Sequence, residues 1–395
     1  MPSPSPLAAA RQLMTEFAAR TGLAPVAEAS RRYLWTDAFA VCNFLELYRR
    51  TGEDNFLALA RRLVDQVHQT LGRHRPDEGR SGWLSGLDEE AGRRHPTAGG
   101  LRIGKKLNER GPADPYDDRL EWERDGQYYH YLTKWMHALH CLGVVTADST
   151  YNLWARELVK AVHPRFIFRL PGDNRQYLHW KMSIDLSRPL VPSMGQHDPL
   201  DGLITYRLLQ GPAGGVPESP PSPRLDREIA ELAAICQGKS WATDDPLGIG
   251  GLLCGAWQLA QLLGRGDGHS AALPASLLPA ARAGLDSFAA GNTLRLPADY
   301  RLAFRELGLA IGLHAVARLG ALLAAKAVPG RLAKSLAPAV AAVLNYQALA
   351  GKIEDFWLTA ASRGTSTWLE HRDINTVMLA TSLVPDGFLL TGAQE

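Results

Sequence analysis

Apolar residues in this chain recur with the helical period almost throughout, and two kinds of helix alternate along it. One kind is apolar or aromatic on nearly every face, as in DAFAVCNFLELYRRTG from Asp37 and DGQYYHYLTKWMHALHCLG from Asp125. Such a helix must be covered on all sides. The other kind is amphipathic, as in NFLALARRLVDQVHQTLG from Asn55 and TYNLWARELVKAVHPRF from Thr150, and keeps one solvated face. The first kind must line an interior that the second kind wraps, and we call them inner and outer.

The alternation continues with inner helices from Asp201, Pro246, Tyr300 and about Asp373, and outer helices from Arg224, Ser276 and Arg331. The last inner helix lacks an outer partner, whereas the amphipathic segment SPLAAARQLMTEFAART at the start is unpaired. Placing this segment, about residues 5–21, in the sixth outer position predicts an all-α (α/α)6 toroid, residues 1–395 forming a single domain closed by the N-terminal helix. An open helical solenoid or a pair of bundles are the alternatives. A length of 395 residues would also allow two or three domains, but a closed helical repeat can use that many around one core.

This order of hairpins resembles the six-hairpin glycosidase superfamily, which includes glycoside hydrolases, polysaccharide lyases and the N-acylglucosamine 2-epimerase group. The resemblance covers nearly the whole chain through architecture, and no catalytic histidine motif of the epimerase group matches residue by residue. It implies a carbohydrate-active enzyme, and for a hydrolase it implies inverting chemistry as the common mode.

With 43 Lys and Arg against 41 Asp and Glu, the formal net charge is only +2, which gives no general attraction to nucleic acid or membrane. The four cysteines, Cys42, Cys141, Cys236 and Cys254, are widely spaced in apolar helical stretches and read as buried thiols. No CxxC or Cys/His ligand spacing predicts structural zinc, and neither a metal nor a cofactor is expected. No signal segment and no run of about 18 uncharged apolar residues are apparent, so a cytoplasmic location is expected. The oligomeric state stays open. The common phosphate-loop, dinucleotide, HExxH and GxSxG motifs are absent, while GIGG at Gly248–Gly251 reads as a site of close helix packing.

In a ring of hairpins, outer-to-inner connections share one face. Here they are long, at roughly 74–124, 169–200 and 350–372, whereas most inner-to-outer connections are short. The Pro-rich stretch after Gln210 is an exception and reads as a surface linker. Long ordered loops usually serve function, so the chemistry is expected where inner helices begin. Asp37, Asp125, Asp201, Asp245 and Asp373 stand at those helix starts, either as caps or facing a ligand.

The first loop places a basic segment (Arg93, Arg94, Arg102, Lys105, Lys106) before an acidic one (Asp117, Asp118, Glu121, Glu123, Asp125), with Trp83 and Trp122 between or beside them. These charges either pair at the surface or line a polar cleft. The second loop contributes His179, Trp180, Lys181, Asp185, Gln196, His197 and Asp198, and the third Trp357, Trp368, Glu370, His371, Arg372 and Asp373.

A glycoside hydrolase with paired carboxylates is the leading reading, acting on a sugar-like and possibly anionic small molecule or oligosaccharide. Its acid/base candidates are Glu89, Asp118, Glu121, Asp125, Asp198, Asp37 and His197. Trp35, Trp83, Arg102, Lys105, Trp122, His130, His179, Asp185, Gln196, Trp368, His371 and Asp373 are the substrate-binding candidates. A sugar epimerase or isomerase, with His130, His179, His197 or His371 as base, is the first alternative, and a non-catalytic binding or scaffold protein the second. The DDRLE run at Asp117–Glu121 also fits the DDxxE pattern of magnesium-diphosphate binding, although no second metal motif accompanies it.

Overall fold

The computed structural model describes residues 5–27, 30–191, 193–211, 222–264, 272–325, 328 and 330–392. Of the predicted Pro-rich linker, 211–224, residues 212–221 lie outside the described residues. Helices α1 (Pro6–Arg20), α2 (Leu34–Thr51) and α3 (Asp54–Leu71) are followed by two short helices, α4 (Glu89–Arg94) and α5 (Asp118–Glu123). Next come α6 (Tyr129–Thr146), α7 (Ser149–Phe166), α8 (Asp198–Gln210) and α9 (Asp226–Cys236). The remainder comprises α10 (Pro246–Gly264), α11 (Ala272–Ala290), α12 (Ala303–Ala324), α13 (Gly330–Leu344), α14 (Ala348–Leu358), α15 (Ala360–Arg363), α16 (Ser366–Glu370), α17 (Arg372–Leu383) and α18 (Asp386–Leu389). Every helix predicted as inner or outer is present, and the hairpin order is that of the all-α (α/α)6 class.

The chain packs as two compact units, one built on Ala18–Lys239 and the other on Ser240–Thr391 with the start of α1 through Phe17. In the first unit, α2, α6 and α8 are the inner helices, each followed by its outer partner α3, α7 or α9, and α2 packs on α6 and α6 on α8. Helix α2 buries every residue from Leu34 to Leu47, as its all-round apolar sequence requires. Helix α3 buries only the stripe Phe56, Leu59, Ala60, Leu63, Val64, Val67, His68 and Leu71.

His68 on that stripe accepts a hydrogen bond at Nε2 from Trp135 Nε1 at 3.2 Å. Burial pushes its imidazole down to about 3, against an ordinary value of 6.5. The unfolded chain therefore binds a proton here between about pH 6.5 and 3 that the folded chain refuses, and stability is lost as pH falls through that window. Urea unfolding at several pH values should show this decline, and His68→Gln should flatten it.

Among the described residues of this unit five short strands also occur, where sequence periodicity gives no sign of them. They are β1 (Gln127–Tyr128), β2 (Ile167–Arg169), β3 (Gln176–Leu178), β4 (Lys181–Met182) and β5 (Pro189–Val191). β4 pairs antiparallel with both β1 and β5, with Tyr128 opposite Lys181, and β2 pairs with β3. This pairing fastens the second long connection to the entrance of α6.

In the second unit, α10 and α12 pack together and α12 also packs on α14 and α17. The predicted 350–372 loop is instead largely helical, spanned by most of α14 and by α15 and α16, because FWL and STWL carry enough apolar side chains to pack short turns. Ala9, Gln12 and Leu13 of α1 lie across a cleft from Asp355, Leu358 and Arg363.

Helices α10 and α12 are each long and apolar enough by mean composition to cross a membrane, although α10 includes Gln258 and Gln261 and α12 includes Arg305, Glu306 and Arg318. Their apolar windows are 61% and 56% buried within the fold, as core helices are. The GIGG motif explains their closeness. A Cβ at Gly250 would overlap the carbonyl of Gly308, and one at Gly312 would stand 2.6 Å from Gly250 Cα. Gly250→Ala should therefore destabilise the fold by about 3 kcal/mol through overpacking, measurable by chemical denaturation.

Candidate active site

The entrance of α6 carries the run QYYHY, Gln127–Tyr131, and the β1–β4 pairing brings Trp180 against it, with Tyr129 N donating to Trp180 O at 3.2 Å. An aromatic surface results. The Tyr128 ring lies 5.5 Å from Trp180, 5.4 Å from His130 and 5.2 Å from Tyr131. Trp122, at the end of α5, meets Trp180 edge-on at 5.0 Å and leaves half its own surface in solvent. On the other side, Tyr33 and Tyr131 share a hydroxyl–hydroxyl hydrogen bond of 2.7 Å, and Trp35 backs Tyr131 at 6.4 Å.

Lys105 Nζ sits 5.5 Å over the Tyr33 ring and has neither a hydrogen bond nor a salt bridge among the described residues. Burial lowers its ammonium below the ordinary lysine value, offset in part by Glu123 and Asp125. A partly desolvated cation beside tyrosine hydroxyls is suited to an anionic or hydroxyl-rich ligand.

His130 lies at the centre of this surface, with its side chain about one-quarter exposed. Its Nδ1 accepts from Trp180 Nε1 at 3.3 Å, and Asp198 Oδ2 stands 3.8 Å from the same nitrogen. Asp198, in the first turn of α8, is buried, yet its Oδ2 makes no hydrogen bond among the described residues. A buried carboxylate oxygen without a donor is costly unless something else uses it. With Nδ1 accepting from the indole, Nε2 bears the ring hydrogen; moving the hydrogen to Nδ1, facing Asp198, would free the Nε2 lone pair. One imidazole can therefore reach both the donating and the accepting form.

The other predicted acid/base groups in this unit are engaged. Asp125 is sealed from solvent and accepts from Arg102 at 2.6 Å and Arg75 at 3.1 Å through Oδ2, and from the Gly104 and Gly126 amides at 3.0 Å through Oδ1. Arg102, predicted to meet an anionic ligand, is instead spent on Asp125 and on the carbonyls of Arg73 and Thr70. Glu121 is buried between Lys181 at 2.8 Å and Arg110 at 3.1 Å. Burial lowers the Lys181 ammonium while Glu121 raises it.

Asp37 folds back from the first turn of α2 to accept from Tyr33 N and Arg32. Glu89 is exposed against Arg73 and Arg93, and Asp118 is exposed, accepting from Tyr116 at 2.6 Å. Asp117 caps α5, so the three carboxylates of DDRLE have separate partners and do not converge on one ion.

Trp83 is buried beneath Arg73, whose guanidinium lies 4.4 Å over its ring, and anchors the first loop. His179 stacks on Phe168 at 4.0 Å, and burial lowers its imidazole. Burial works against ionisation of Asp185, yet Ser187, Ser183 and Arg80 together hold its carboxyl well below the ordinary range. Gln196 is exposed, and His197 precedes α8 as its N-terminal flanking residue. A cleft of about 570 Å³ beside Tyr177, Met194 and Lys239 contains none of the predicted residues.

Three candidates belong to the second unit. Trp368 is buried and stacked on Trp357 at 5.6 Å, His371 meets Phe304 edge-on at 5.7 Å before α17, and Asp373 lies in the first turn of α17. Glu306 in this unit is buried, accepting from Arg301 at 2.6 Å and from Trp357 Nε1 at 2.9 Å, which makes it a packing element.

No protein-family model matches the chain, and no curated protein matches it in sequence. Among solved structures, the cellobiose 2-epimerase from Spirochaeta thermophila DSM 6192 is similar over 95% of this chain and 97% of that chain, with 13% identity and a TM-score of 0.49.

Proposed function

We propose that this chain is a carbohydrate-active enzyme that moves a proton on a sugar-like ligand, as an epimerase or isomerase does, with His130 as the acid/base group. The observation that carries this reading is the His130–Asp198 pair, in which a partly exposed imidazole faces a buried carboxylate oxygen that lacks a donor. The half-exposed face of Trp122, with Trp180 and Tyr128 behind it, offers a platform for the apolar face of a sugar ring. Lys105 and the tyrosine hydroxyls stand ready for its oxygens.

In this chemistry His130 takes the proton from a carbon beside the carbonyl, the electron pair moves to the carbonyl oxygen as an enediolate, and the proton returns to carbon. Asp198 stabilises the imidazolium formed between the two steps. The hydrolase reading needs two carboxylates facing one glycosidic bond. Asp125 and Glu121 are each held by two cationic side chains, which leaves them poorly placed for that role.

Incubation of the purified protein with a panel of reducing mono- and disaccharides, sugar acids and sugar phosphates tests the proposal. Products of unchanged mass support it. Products that have gained water restore the hydrolase reading, and a protein that binds and converts nothing in the panel favours the scaffold reading.

A further inference from the structure

Cys42 on α2 and His137 and Cys141 on α6 meet in the interface between these two packed helices, well inside the unit and away from the aromatic surface. His137 and Cys141 are four residues apart, one helical turn, and so share a face of α6. One ligand-type atom from each residue, two thiol sulfurs and an imidazole nitrogen, lies within 4.8 Å of the other two. Of these atoms, Cys141 Sγ and His137 Nε2 are 3.5 Å apart. All three side chains are nearly inaccessible, with relative exposures of 1%, 3% and 6% for Cys42, His137 and Cys141.

We propose that Cys42, His137 and Cys141 form a binding site for a thiophilic d10 cation, Zn²⁺ or Cu⁺. Bond lengths of about 2.3 Å to sulfur and about 2.0 Å to nitrogen place tetrahedral ligand atoms about 3.5–3.8 Å from one another. The His137–Cys141 separation already has that value, and closing the remainder takes side-chain movement of about an ångström. Two sulfurs and one imidazole select soft or borderline cations over Mg²⁺ or Ca²⁺, which prefer oxygen. Each thiol gives up its proton on ligation, so uptake releases protons. A trigonal set suits Cu⁺. His140, next to Cys141 in sequence and also buried, is the imidazole to test as a fourth ligand for a tetrahedral Zn²⁺. The cation would cross-link α2 to α6, the pair that carries the aromatic site at its entrance, and its role is therefore structural.

The test uses untagged full-length protein, reduced and free of chelator. Zinc and copper are measured by elemental mass spectrometry; the metal-free protein is then titrated anaerobically with Co²⁺ as a zinc probe and, separately, with Cu⁺ against a chromophoric chelator. One equivalent of Co²⁺ with sulfur-to-cobalt charge-transfer absorption assigns Zn²⁺, and uptake of Cu⁺ alone assigns Cu⁺. Cys42→Ser or Cys141→Ser should weaken the uptake by about 100-fold or more, while Cys236→Ser leaves it unchanged. Should a serine variant fail to fold, His137→Gln and the wild-type stoichiometry decide. Folded, reduced wild-type protein that takes up neither probe, or protein isolated with Cys42 and Cys141 joined as a disulfide, overturns the proposal.

Discussion

Replacing His130 with Gln is expected to lower turnover of whichever saccharide the wild type converts by about 10²- to 10⁴-fold, the usual worth of a positioned proton-transfer group. Glutamine can still accept the Trp180 Nε1 hydrogen bond, and the ring is partly exposed, so little packing is lost. The thermal midpoint should accordingly stay within about 3 °C of wild type. Asp198→Asn should also slow turnover, by a smaller factor, since the amide retains the shape of α8's first turn but no longer offers a charge to the imidazolium. Steady-state kinetics beside circular-dichroism melting separate these effects. Turnover in His130→Gln equal to wild type would remove His130 from the chemistry.

The second large effect is on stability. Asp125→Asn should cost about 3–5 kcal/mol, because it leaves Arg102 buried with no carboxylate opposite it and Arg75 with Asp77 alone. Arg102 is 4% exposed and Asp125 has no exposure at all, so water cannot take over the interaction. The arginines also tie residues 70–75 to residues 102–106, and losing their anchor should loosen the first long connection as a whole. Urea denaturation checks the prediction. A fully stable Asp125→Asn variant that lacks turnover would instead mark Asp125 as an acid/base residue.

Asp125 shows how sequence reading reached the right neighbourhood and missed the roles. The basic and acidic segments of the first connection are visible in the chain, but the partners of Asp125 lie 23 and 50 residues away, and only folding reveals that they neutralise one another. Helix order was legible because burial on all faces and burial on one face leave different periodicities. Helix starts were less so: Asp37 was expected to open α2, yet the helix begins at Leu34 and the carboxylate reaches backwards to Tyr33 N. Asp245 does act at a helix start as expected, accepting from Gly248 N.

The strands escaped notice because two or three residues are too short to show alternation, and with them went the pairing that sets Trp180 beside Tyr128. For Tyr128 and Tyr131 the density of rings in QYYHY is the signal that the sequence carries. The Cys42–His137–Cys141 group is hidden by the 94 residues of chain between Cys42 and His137, with only the one-turn spacing of His137 and Cys141 to hint at it.

Proton transfer at carbon by His130 is read most directly from solvent-isotope incorporation. The reaction is run in D2O with a saccharide that the protein converts, and the product is read by NMR for deuterium bound to carbon next to the carbonyl. Wild type should form a product with one non-exchangeable deuterium, and His130→Gln should suppress it in proportion to its turnover. A product carrying solvent oxygen and no carbon-bound deuterium, or deuterium incorporation unaffected by His130→Gln, would contradict proton transfer by His130.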